Sequence, residues 1–77
     1  MQDTLEITRV TAPMAGVVAR VMAVVGQVVM AGQEICVLES VKLEVPVRAP
    51  HTGVLAEVCV ESEEDVHGGQ PLFVIAQ

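Results

Sequence analysis

The chain has 77 residues, 52% of them hydrophobic, with a single aromatic, Phe73, and a formal net charge of −6. That length holds one domain, close to the lower limit at which a core alone sustains a fold. The acid excess leaves no basic stripe to displace counterions, which excludes nucleic acid and anionic membrane surfaces as partners, and the most apolar run, 17–31, is too short for a bilayer and broken by Arg20, Gly26 and Gln27.

In chain order, runs rich in β-branched residues predict strands near Leu5–Val10, Gly16–Ala23, Val28–Met30 and Glu34–Glu39, then near Leu43–Arg48, Gly53–Val60, Asp65–His67 and Pro71–Ala76. Pro13, Gly26, Gly32, Pro50 and Gly68-Gly69 lie in the connections, where they fix φ or tolerate φ > 0. No stretch of useful length has helical spacing. The opening Met1–Glu6 lacks the basic-then-apolar pattern of a secretory signal, so cytoplasmic localisation is expected. In that setting Cys36 and Cys59, without a CxxC pattern, read as buried free thiols. His51 and His67 fall in turn-like segments with no ligand partner at a metal spacing, so no metal site is expected. No nucleophile–base arrangement or phosphate loop is apparent either, so no catalytic residue is expected.

The same programme is written twice. A shift of 37 residues lays Thr11–Ser40 on Arg48–Gln77 without a gap. Ala12-Pro13 then falls on Ala49-Pro50, Gly16-Val17 on Gly53-Val54, and Gly32-Gln33 on Gly69-Gln70. Ala19, Val21, Val29 and Val37 meet Ala56, Val58, Val66 and Val74. Two four-strand units, about 5–40 and 42–77, therefore make one all-β domain over 1–77. They are expected to pack as a sandwich or flattened barrel about an approximate two-fold axis, because one unit alone cannot bury its apolar face. The acidic run Glu61–Asp65 aligns with Val24–Val28 and reads as a solvated edge or turn.

The seam between the copies, Glu39-Ser40-Val41-Lys42-Leu43-Glu44, departs from the local rules. Short hairpins favour Asn, Asp or Gly, since their central residues often need φ > 0, and valine suits such a backbone poorly. Broken rules in an otherwise consistent chain point to function. Lys42 is also the only lysine in the chain. An enzyme that acylates an ε-amino group meets no competing side chain, and it must itself supply the neutral amine that attack requires.

At these residues the chain resembles the biotinyl/lipoyl attachment domain family along almost its whole length, and most closely the biotin carboxyl carrier domains of biotin-dependent carboxylases and decarboxylases. Ala12-Pro13-Met14-Ala15-Gly16 is similar to the family's opening, and 26–33 to its Gly-Asp-x-Val-x-x-Gly-Gln turn. Glu39-Ser40-Val41-Lys42-Leu43-Glu44 is similar to its Glu-(Ala/Ser)-Met-Lys-Met-Glu, and Ala49-Pro50-His51-Thr52-Gly53 to its second Ala-Pro…Gly. The resemblance implies two four-stranded antiparallel sheets with a modified lysine on a hairpin. It implies covalent biotin on Lys42, recognition through Val41 and Leu43, and motif positions at Glu39, Ser40 and Glu44. Biotin protein ligase and separate biotin carboxylase and carboxyltransferase subunits follow as partners, with no bond chemistry performed by the carrier.

Val41 and Leu43 stand where biotin carriers usually have methionine, and Glu63 where the second family turn has glycine, predicting a looser turn or one of another type. No insertion is present that could form the protruding thumb of some biotin carriers. The alternatives are a lipoyl carrier for acyl or aminomethyl transfer, since 39–42 also resembles the glycine cleavage H protein, and an unmodified interaction module.

Overall fold

The computed structural model describes residues 6–77 and contains strands only. They are β1 (Ile7–Thr11), β2 (Gly16–Val21), β3 (Val28–Val29), β4 (Glu34–Glu39), β5 (Glu44–Arg48), β6 (Gly53–Val58), β7 (Asp65–Val66) and β8 (Pro71–Ala76). The expected bounds of β4 and β8 hold. β2, β3, β6 and β7 stop short of Ala23, Met30, Val60 and His67 because ladder pairing ends there, although after β2, β3 and β6 the apolar run continues. Leu43 belongs to the turn before β5. Leu5, the expected start of β1 and of the first repeat, lies outside the described residues.

Two antiparallel four-stranded sheets form, in the orders β1-β8-β6-β3 and β5-β4-β2-β7. Each sheet takes two strands from each copy of the repeat, so the copies interlock instead of forming one layer each. Replacing every strand by its repeat mate turns one order into the other, which is the internal two-fold in topological form. Backbone bonds repeat with it. Gly26 N–H donates to the Leu55 carbonyl at 2.8 Å, and Glu63 N–H to the Val18 carbonyl at 2.6 Å. Gly32 N–H donates to Ala49 O and Gly69 N–H to Ala12 O, both at 2.8 Å.

The bulges repeat as well. Ala19 is the extra residue between Val18 and Arg20, and Ala56 the extra residue between Leu55 and Glu57. A bulge bends the strand and increases its twist, which lets a short sheet curl over the core. Between the sheets lie Val18, Val29, Ile35, Leu38, Leu55, Leu72, Phe73 and Ile75, none more than 1% exposed. Each such side chain contributes roughly 1.5–3 kcal/mol through removal from water.

Candidate functional site

The β4–β5 turn is built around Ser40. Its N–H donates to the Leu43 carbonyl at 2.8 Å. Its hydroxyl oxygen accepts from the N–H of Leu43 at 3.2 Å and of Lys42 at 3.3 Å. A side-chain oxygen thus replaces a backbone acceptor, as serine commonly does in turns. This corrects the expectation of a strained backbone at Val41. Among the described residues the one non-glycine with φ > 0 is Glu63, and neither Val41 nor Lys42 needs that conformation.

Val41 is 99% exposed and Leu43 58%, with the exposed Lys42 between them at the tip. Among the described residues the Lys42 side chain has no hydrogen-bond or ion-pair partner. Glu39 and Glu44 are paired across the base of the hairpin, both exposed. The sequence-predicted positions Glu39, Ser40, Val41, Lys42, Leu43 and Glu44 are therefore together at one end of the β5-β4-β2-β7 sheet.

Other residues complete the site, although nothing in the local sequence places them there. Gly16 begins β2 directly against β4, where a Cβ would come to 2.6 Å from the Glu39 carbonyl oxygen. Val17 pairs with Glu39 on one side and Asp65 on the other. A shallow groove of about 530 Å³ beside the turn is lined by Ala15, Val17, Glu39, Val41, Asp65 and Val66. Glycine in the repeated Ala-Pro-x-x-Gly was the available signal, but its reason, close backbone approach, needs the partner strand. Asp65 left only its place in an acidic run.

Three minor expectations resolve here. Cys36 is buried, and that burial pushes its thiol up to about 11. Cys59 is exposed, correcting the reading of two buried thiols: it lies just beyond β6, aligned with the half-exposed Met22. His51 joins elements together, with Nε2 at 2.8 Å from Thr8 Oγ1 and Nδ1 at 3.0 Å from the Thr52 carbonyl. Glu63, at φ 72°, keeps the turn that Gly26 makes at φ 94°. The second turn is therefore neither looser nor of another type; the backbone bond to Val18 holds it in place.

Comparison with known proteins gives the same result by sequence and by shape. A family model described as "Biotin-requiring enzyme", covering biotin and lipoyl attachment, matches residues 8–75. The biotin-dependent acyl-coenzyme A carboxylase alpha3 subunit of Mycobacterium leprae is 41% identical over 86% of this chain, which spans 11% of that subunit. The biotin carboxyl carrier protein of acetyl-CoA carboxylase of Solanum lycopersicum is 35% identical over 86% of this chain, and here 94% of the relative is covered. The biotin/lipoyl attachment protein of Bacillus subtilis is 33% identical over 87% of this chain and 92% of its own. Among solved structures, a single-chain, multi-domain long-chain acyl-CoA carboxylase superposes with a TM-score of 0.85 at 31% identity, over 92% of this chain and 7% of the other.

Proposed function

The chain belongs to the biotinyl/lipoyl attachment family, and from that premise we propose that it is a biotin carboxyl carrier with the cofactor joined by an amide to Lys42. One observation carries the assignment: the only lysine of the sequence stands at the tip of the Ser40–Leu43 turn, exposed and unpaired among the described residues, between two exposed apolar side chains. Biotin suits that position, since the amide removes the ammonium charge and the arm needs nothing from the protein except reach. When bound, the group supplies a nitrogen that accepts and releases a carboxyl group.

The chain's own residues present the arm. Ser40 fixes the turn, Gly16 lets β2 lie close beside β4, and the sheet holds the attachment point rigid. Tethering makes each encounter nearly intramolecular, commonly worth a local concentration of ~mM. The partners in this reading are a biotin protein ligase and the biotin carboxylase and carboxyltransferase sites served by the arm, with Val41 and Leu43 touching each in turn. The names of the relatives support carboxylase partners, and the acid excess supports a carrier that avoids nucleic acid and anionic membranes.

Incubation of the full chain with ATP, biotin and a biotin protein ligase tests the assignment by retention on avidin. Wild type should be retained and Lys42→Arg should pass through. Equal retention of both would remove Lys42 from the role.

A further inference from the structure

The internal two-fold supplies a comparison within one molecule. At one end of the β1-β8-β6-β3 sheet, Ile7 pairs with Ala76, Ala76 with Val54, and Val54 with Val28, a continuous outward row without a charge. Ile7 is 66% exposed and Val28 63%. The mates of these positions on the other sheet are Glu44, Glu39, Val17 and Asp65, paired in the same way. The backbone is the same in both places, and three of the four positions tolerate a carboxylate in the second. The fold therefore does not demand apolar residues in the first row.

The next outward positions name the occupant. Val74 is flanked by Arg9 on β1 and Glu57 on β6, one base and one acid on either side of the central strand. A two-fold axis running along β8 between two facing copies would set Arg9 of each over Glu57 of the other. The same operation sets Ile7 over Val54 and Ala76 over its own image. Applied to the sister sheet along β4, it would bring Glu39 against its own image, a direct like-charge contact. One sheet is thus self-complementary and the other self-repelling.

We infer that the outer face of the β1-β8-β6-β3 sheet is an interaction surface for a second copy of this chain. The contact is isologous, the same patch on both copies, with the apolar row at the end of the sheet and the Arg9–Glu57 pairs beside it, further along β8. The two sheets face each other in aligned packing. Both Lys42 turns belong to the outward sheets, so the association leaves them free. The inference does not depend on the cofactor.

Sedimentation of the full chain across a concentration series tests it. Wild type should approach twice the monomer mass as concentration rises. Val54→Glu should remain monomeric, with its circular dichroism unchanged, while Val17→Glu, the same change at the mate position, should still pair. Arg9→Glu should lose the paired form, and the swap Arg9→Glu with Glu57→Arg should restore it. A wild type that stays monomeric at millimolar concentration overturns the inference. So does a pairing that survives Val54→Glu, or one that the charge swap fails to restore.

Discussion

Gly16 lies so close beside Glu39 on the neighbouring strand that a methyl group on its Cα would sit 2.6 Å from the Glu39 carbonyl oxygen. Its repeat mate Gly53 stands in the same relation to Ala76, at 2.5 Å. Such distances force the backbone to move, and overpacking of this kind costs roughly 1–3 kcal/mol. Gly16→Ala and Gly53→Ala should each lower the denaturant midpoint by a similar amount. Only Gly16→Ala lies next to the strand that leads to Lys42. The account therefore predicts slower biotin attachment for Gly16→Ala than for Gly53→Ala when both are assayed well below their melting temperatures.

Glu63 and Gly26 form a second matched pair. A left-handed backbone costs a non-glycine residue about 1–2 kcal/mol, partly offset by the entropy that glycine loses on folding. Glu63→Gly should stabilise the protein by about 0.5–1 kcal/mol in a urea titration. Gly26→Ala should destabilise it by about 1 kcal/mol, through backbone strain alone, since nothing lies within 4 Å of the added methyl.

The Ser40 hydroxyl accepts two amides of the turn, so Ser40→Ala should cost about 0.5–1.5 kcal/mol. Amide exchange at Lys42 and Leu43 should accelerate while exchange at Leu38 and Val45, further down the hairpin, changes little. Uniform acceleration across the sheet would place the effect in global stability.

The two thiols should separate by reactivity. At pH 8 a maleimide should label Cys59 and leave Cys36 until the protein unfolds, since burial pushes the Cys36 thiol up to about 11. The Cys59 thiol is also raised, by partial desolvation and then by the nearby Glu57 carboxylate, with Arg9 opposing. A higher pKa leaves less thiolate at a given pH, so its labelling rate should keep rising beyond the ordinary thiol range. Glu57→Gln should speed it at neutral pH.

Much of this was legible in the residues. The strands Glu34–Glu39 and Pro71–Ala76 are legible because each follows a Gly-Gln pair and carries an unbroken apolar stretch, 35–38 in the first and 71–76 in the second. Ala19 and Ala56 matched in the repeat and proved to be matching bulges. Strand ends at Ala23 and Val60 were overrun because hydrophobicity persists after the ladder stops. The interlocking of the copies was hidden, since a repeat says which strands are alike and not which strands are neighbours. Lys42 stands out in the sequence for three reasons: its place at the seam between the copies, its uniqueness, and the departure of Val41 from turn chemistry. The first two stand, and the third dissolves because the Ser40 hydroxyl closes the turn without a left-handed residue. Gly16 and Asp65 reach the site through pairing with distant strands, information that local sequence does not carry.

The central claim is a covalent arm on one defined nitrogen. Its most direct test is peptide mapping by mass spectrometry of the full chain after co-expression with a biotin protein ligase and, separately, with a lipoyl ligase. The account predicts a biotinyl adduct confined to the peptide bearing Lys42, absent in Lys42→Arg, with no lipoyl adduct. An unmodified Lys42 in the presence of both ligases, or a lipoyl adduct in place of biotin, would contradict it.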